Sequence, residues 1–333
     1  MTCDDGSCPI AIHIASSHAV LINLVPDFLA TLEAPDPLEA YQRYLSEHRA
    51  VLTAYWRNYV LDLETPHAQE VIRRTLDAER KDLQHLLATV DIEAVAQETL
   101  VDCEARFEMD RPVDVVLMVG VGGANAGELV VGGRGVAFIC LEHFTGRPNP
   151  DTYGLGLDPK YIPLWIAHEL AHAVRYTSPH SASDLARLVT DSGGYYDYWA
   201  TGSRVSLREL LVNEGLAVLA SEHAVPGLMP WDYLGYPRRQ YRRLRELDAF
   251  LQHALAEELD RTGLGYRLRY LSGGMPPAQR LVGGKVVPER AGYYVGRRLA
   301  EAAVQQYGIA RALRLSATDI TSAMEQAEGQ QTA

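Results

Sequence analysis

An α+β fold, mainly helical with a small mixed or antiparallel sheet, is what the sequence predicts, and three observations predict it. Leu164 to Arg175, LWIAHELAHAVR, carries Leu164, Ala167, Leu170, Ala171 and Val174 at helical intervals, with no Gly or Pro from Leu164 to Val174. Upstream of it, the apolar run Val113 to Val119 and two short segments joined through glycines read as strands. Capped stretches of helical period make up most of the remainder. With 333 residues, 47% of them hydrophobic, the chain buries a full core as one large domain or two closely packed ones. Arg111-Pro112 divides a mainly helical region, residues 1–110, from residues 111–333, which carry the sheet and the motifs, the two packed as one body.

In order along the chain, Ile10 to Ala15 and Val20 to Val25 are β-branched-rich and read equally as strands or helix starts. Asp36 as N-cap, Pro37 at the first helical position and Glu39 in the first turn open a helix to about Leu61, with Tyr41, Tyr44, Tyr55, Trp56 and Tyr59 as packing residues. Thr65-Pro66 repeats the start signal for a periodic stretch to about Val90, and Asp91 caps a helix to about Met109. Val113 to Val119 is a buried strand. Gly120 to Gly127, GVGGANAG, lacks the Lys-Ser/Thr of a phosphate loop and leads into another strand, so it reads as a connection. Glu128 to Val131 and Gly135 to Leu141 form a hairpin through Gly132-Gly133-Arg134-Gly135, whose glycines supply positive φ. Ser178 to Gly202, with Tyr195, Tyr196, Tyr198 and Trp199, reads as a connection packed by its aromatics, with a cleft cover as the alternative. Ser206 and Glu209 have capping-box spacing at the head of a helix running to His223.

The charge balance, 31 basic against 43 acidic residues for a net −12, supplies no footprint for a nucleic-acid backbone or an anionic membrane. Asp4 and Asp5 stand where a secretory signal is basic, and His13, His18 and Asn23 interrupt the apolar stretch behind them, so a cytoplasmic protein is expected. Cys3, Cys8, Cys103 and Cys140 form no CxxC and fit reduced thiols; Cys3 and Cys8 flank a polar segment that reads as a frayed terminus.

Chemistry concentrates in His168-Glu169-Leu170-Ala171-His172, an HExxH pattern. Residues four apart share a helix face, which aims both imidazoles at one point, and neutral imidazole is a preferred Zn²⁺ ligand. Glu169, one step round, is in reach of the attacking water as general base. One zinc per chain is therefore expected, with a third protein ligand on a later helix. Glu214 fits, a carboxylate among Leu207, Leu210, Leu211, Ala217 and Val218, because burying an unpaired charge is costly and a dication resolves it. His223 competes from the helix end. Arg238, Arg239, Arg242, Arg243 and Arg245 read as a solvated helix face, with a substrate carboxylate site as the alternative.

HELAH, the segment NEGLA at Asn213 to Ala217 and GYYVG at Gly292 to Gly296 together resemble a bacterial family of predicted zinc-dependent proteases within the gluzincin group of zincins, over about Val113 to Tyr307. The resemblance implies a zincin-like fold for 111–333, His168, His172 and Glu214 as zinc ligands, Glu169 as base, and a peptide or protein substrate. It also implies a tyrosine that stabilises the oxyanion, with Tyr293 and Tyr294 as candidates and Tyr293 in the better register. Zincin proteases set a small sheet before this helix, and its edge strand can hydrogen-bond an extended peptide, which makes Glu142 and His143 at the last strand's end candidate substrate-binding residues. Where some gluzincins carry an acidic residue four places after the ligand Glu, this chain has Val218, so the partner that orients a ligand histidine is not given by the pattern. Hydrolysis of a non-peptide amide and a non-enzymatic partner-binding role are the alternatives; an intact Glu169 argues against the second.

Overall fold

The computed structural model describes residues 18–152 and 154–331, which leaves Cys3, Cys8 and the Ile10 to Ala15 segment outside the described residues. The chain divides into two compact units: Met1–Val101, Arg111–Ala173 and Gly193–Tyr195 form one, and Asp102–Asp110, Val174–Ser192 and Tyr196–Ala333 the other. It is mostly helical with a small mixed sheet, the expected α+β class. Among the described residues no helix is long and apolar enough to cross a membrane.

The first unit is organised by a four-stranded sheet of order β1-β2-β4-β3, made of β1 (Leu21–Asn23), β2 (Val113–Met118), β3 (Ala126–Val131) and β4 (Arg134–Cys140). β2 runs parallel to both β1 and β4, and β3 returns antiparallel to β4. Every residue of β2 and β4 is buried, which is why these strands read as apolar runs without alternation. The β3–β4 turn takes φ of 60° at Gly132 and 80° at Gly133, as the hairpin reading requires. One charge pair is buried in the sheet: Arg134 donates to Asp114 at 2.5 and 2.6 Å and to the His18 carbonyl at 2.6 Å, while Asp114 accepts the Val20 N–H at 3.0 Å.

Among the described residues before β2 lie six α-helices: α1 (Val25–Leu32), α2 (Pro37–Glu47), α3 (Arg49–Tyr55), α4 (Pro66–Asp77), α5 (Lys81–Thr89) and α6 (Ile92–Arg106). Asp36 and Asp91 cap as expected, accepting from the Glu39 and Ala94 N–H groups at 3.0 Å. The single helix expected from Asp36 to Leu61 is instead broken. His48 leaves the helical region, its Nε2 held at 2.8 Å from Asp27, and a π turn follows at Trp56–Val60. The stretch expected to run from Thr65 to Val90 also divides. Ala78 is extended, and the buried Arg80 guanidinium lies over the Phe28 ring and donates to the Thr75 carbonyl at 2.8 Å. In both places a long-range side-chain contact outweighs local helical period. The Tyr55 and Tyr59 rings pack edge-on against Phe138 of β4, at 5.2 and 4.9 Å.

α7 (Ile162–Thr177) is the helix read from the LWIAHELAHAVR stretch. The second unit adds α8 (Asp184–Asp191), α9 (Tyr198–Arg204), α10 (Leu207–Ala224), α11 (Pro230–Tyr233), α12 (Arg238–Glu246), α13 (Asp248–Ala256) and α14 (Leu264–Leu271). After a two-stranded ribbon, β5 (Leu281–Val282) with β6 (Lys285–Val286), come α15 (Ala291–Tyr307), α16 (Ile309–Ala312) and α17 (Ala317–Gln331). Its core is the crossing of α10 and α15. A Cβ added at Gly215 would meet the Gly296 carbonyl carbon at 2.0 Å, and one added at Gly296 would meet the Leu211 oxygen at 1.9 Å, so the helices touch backbone to backbone. Segments NEGLA and GYYVG thus share one contact, with their glycines as its material. The expected capping box is half made: Ser206 accepts the Glu209 N–H at 3.2 Å, but the Glu209 carboxylate is taken by Arg175 at 2.7 Å. Within the aromatic connection, Tyr196 is buried and stacks on Tyr176 at 5.0 Å, while Tyr195 and Trp199 are exposed.

Candidate metal centre

In the first unit α7 presents His168, Glu169 and His172, all buried, at 2%, 4% and 2% exposure. The helix forms because Pro163 sits in its first turn, where a missing N–H is harmless, and the run to Val174 has no breaker. The two imidazole rings are neighbours, 4.9 Å between centroids, and Trp165 packs against His168 at 5.3 Å. Two buried imidazoles one helical turn apart, with carboxylates close by, make a donor set that suits Zn²⁺.

The sequence reading missed one carboxylate here. Atoms of Glu128, Glu169 and His172 that are able to bind a metal all lie within 4.8 Å of one another. Glu128 comes from β3 and is 7% exposed. The Tyr59 hydroxyl holds it, 2.7 Å from its carboxylate and 3.0 Å from its carbonyl oxygen, and accepts its N–H at 3.1 Å. The one signal for it in the sequence is a lone acidic residue in the apolar stretch GELVV.

Glu142 and His143 lie in the 3₁₀ turn after β4, inside the first unit, at 2% and 1% exposure. Glu142 accepts the Gly120 N–H at 3.0 Å, and its other oxygen is 3.8 Å from the His143 Nε2. Burial raises the Glu142 carboxyl pKa despite the Gly120 hydrogen bond and the Arg80 charge. Burial, with Arg80 adding to it, lowers His143 to about 4. His143 is therefore a neutral core imidazole, and the 3.8 Å approach to Glu142 is not a charged pair.

In the second unit Glu214 is buried on α10, at 8% exposure. Its neighbour Asn213 donates to the Tyr176 hydroxyl at 2.9 Å, and Arg175, next to Tyr176 in the last turn of α7, holds Glu209 and the Leu315 carbonyl, the latter at 2.8 Å. His223, the competing ligand, has its Nδ1 2.8 Å from the Leu219 carbonyl of its own helix. Tyr294 is buried, its hydroxyl 3.0 Å from Asp248. Tyr293 is half-buried, with the Arg290 guanidinium over its ring at 4.2 Å.

Arg290 is another residue that sequence reasoning passed over. It caps α15 with φ 55°, a left-handed conformation that costs a non-glycine residue about 1 kcal/mol or more. Its carbonyl accepts from the Tyr236 hydroxyl. Burial works against the guanidinium charge, but Tyr293, Tyr236 and Glu214 offset it and carry its pKa above the ordinary value.

A family model described as Predicted Zn-dependent protease (DUF2268) matches residues 196–322. That stretch holds NEGLA and GYYVG and leaves out the HELAH pattern. No curated protein and no solved structure matches the chain.

Proposed function

We propose that this protein is a zinc-dependent peptidase of the gluzincin type, with a zincin-like fold, acting on a peptide or protein substrate. The observation that carries the reading is the buried His168–His172 pair on one face of α7, with Glu169 beside it. His168 and His172 are two ligands and Glu214 the third. Supporting Glu214 are its burial, its position inside the matched stretch, and the Tyr176–Asn213 hydrogen bond that ties the last turn of α7 to α10 one residue before it. A bound zinc supplies Lewis acidity toward the scissile carbonyl and makes the attacking water more acidic.

The residues of the chain do the rest. The Glu169 carboxylate takes a proton from the attacking water and delivers it to the leaving nitrogen. Glu128, fixed by Tyr59, orients the His172 ring, the role that a carboxylate behind a ligand histidine performs elsewhere. The Tyr293 phenol, braced by Arg290, donates to the carbonyl oxygen as it gains charge, whereas the Tyr294 hydroxyl is engaged by Asp248.

Metal analysis of protein purified without a metal-affinity step tests the reading at its root, with one zinc per chain expected. Glu169→Gln should keep that zinc and lose turnover of a peptide library; turnover equal to the parent's would sink the mechanism. Glu214→Ala should lower zinc affinity by about tenfold or more. Unchanged zinc there, with loss in His223→Ala, would make His223 the third ligand.

A further inference from the structure

The arginine cluster of α12 is where the structure adds something the proposed chemistry does not use. Arg238, Arg242 and Arg245, one helix face, line a groove of about 430 Å³ together with Trp231, Tyr241 and Glu246. Its floor is aromatic. Trp231 and Tyr241 meet at 6.0 Å between ring centroids, and the Arg238 guanidinium lies over Trp231 at 5.5 Å. Glu246 at the rim is taken by Arg243 at 3.1 Å, and among the described residues Arg238, Arg239, Arg242 and Arg245 have no carboxylate within ion-pair reach. A chain with 43 acidic residues has left this row of cations unneutralised.

We propose that this groove docks an acidic peptide segment, its carboxylates taken by Arg238, Arg242 and Arg245 above the Trp231 and Tyr241 floor. The guanidinium fork matches carboxylate geometry with two parallel hydrogen bonds. Spacing favours a row of acids over one small anion: the three arginines step along α12 by about 6 and then 4.5 Å. Side chains on one side of an extended peptide recur every 6.6 to 6.8 Å or so, near enough for flexible arginines to reach two or three in turn. A single phosphate would engage one or two arginines and leave the rest idle. The overall net charge of −12 repels acidic chains at long range, so a local basic row is what admits them.

One lining residue of the groove touches the helix proposed to act on the scissile carbonyl. Tyr241 packs edge-on against Tyr294 of α15 at 6.1 Å, next to Tyr293. The docked segment is therefore a remote part of a substrate, acidic on one side of the cleaved bond; that assignment, unlike the docking itself, rests on the peptidase reading.

The test measures binding without cleavage, on the full-length Glu169→Gln variant, with dye-labelled hexaglutamate and hexalysine peptides at low ionic strength. Hexaglutamate should bind and hexalysine should not. Arg242→Glu with Arg245→Glu should weaken hexaglutamate by about tenfold or more, and so should salt at about 0.5 M, where screening is short-ranged. Trp231→Ala should weaken it less. None of these substitutions touches the proposed metal ligands, so zinc content and hydrolysis of an uncharged short peptide in the Glu169 parent should stay unchanged. Hexaglutamate binding that is absent, or indifferent to the charge reversal, overturns the proposal. Displacement of hexaglutamate by equimolar pyrophosphate or oligothymidylate overturns it in favour of a phosphate site. If the protein holds no zinc while the groove still takes hexaglutamate, the peptidase reading falls and the docking stands.

Discussion

Two joints in this molecule are built from glycine, and they use it for opposite reasons. At the β3–β4 turn of the first unit, Gly132 and Gly133 have positive φ and nothing within 4 Å of where a Cβ would stand. At the α10–α15 crossing of the second unit, Gly215 and Gly296 are helical, and an added Cβ would collide with the other helix's backbone at 2.0 and 1.9 Å, little more than a covalent bond. The first joint asks for a backbone conformation, which is a local matter. The second asks for an absence of atoms, which depends on a partner 81 residues away, from 215 to 296. What is local in the first unit is cooperative in the second, and substitution costs should differ accordingly.

The largest effect is expected where the second unit gathers distant segments on one side chain. Arg175 is 0% exposed and donates to Glu209, Leu313 and Leu315. Arg175→Met leaves the Glu209 carboxylate buried and alone, and urea unfolding should record a loss of about 3–5 kcal/mol. Adding Glu209→Leu should recover most of it; a double variant as weak as the single one would mean that the carbonyl contacts matter more than the charge pair. Next comes the crossing itself. Gly296→Val should cost about 3 kcal/mol, because its branched side chain cannot fit against the Leu211 carbonyl without moving a helix.

A third effect belongs to the first unit and is tuned by pH. Burial holds the His143 imidazole at about 4 in the folded chain, below the ordinary 6.5, so the unfolded chain takes up the proton first as pH falls. Its stabilising contribution is complete above about pH 6.5 and is lost on descending toward 4, at most about 3 kcal/mol over that window. Stability measured at pH 7 and pH 4.5 should differ less in His143→Phe than in the parent; an equal slope would assign the titration to another group. The smallest effect should be Gly133→Ala, about 1 kcal/mol for a left-handed residue in open space. If it equals the cost of Gly296→Val, the contrast between the two joints is wrong.

The same contrast explains what could be read from the chain. Helix caps at Asp36 and Asp91, the glycine turn of the hairpin, the buried strands and the breaker-free α7 were legible, because each is set by residues within a few positions of one another. The neighbouring rings of His168 and His172 follow from a spacing of four on a helix. The break at His48 was not legible, since it depends on Asp27 in another helix, nor was the break before Arg80, which depends on Phe28. Within the candidate site, Glu128 escaped notice because its neighbours arrive through strand pairing and not through sequence spacing. Arg290 escaped for a different reason: nothing in its side chain announces a left-handed backbone.

Tyr59 has a consequence for how the molecule behaves in a crowd. β3 is the last strand of its sheet, an apolar strand of six residues buried at all but Ala126, with one row of main-chain donors and acceptors on the side away from β4. Uncovered on heating, such an edge invites a second copy to add its own strand, the first step toward fibrous association. The central position of that row, the N–H and carbonyl of Glu128, is already stoppered by the Tyr59 hydroxyl. A foreign strand meets a phenol where it needs a backbone, so it can zip only along the ends. Tyr59→Phe would remove the stopper and leave the fold's own packing ring in place, and light scattering on heating should then rise earlier than in the parent. An extended peptide that comes to lie along β3 faces the same obstacle, and gains the whole edge only if Tyr59 swings aside.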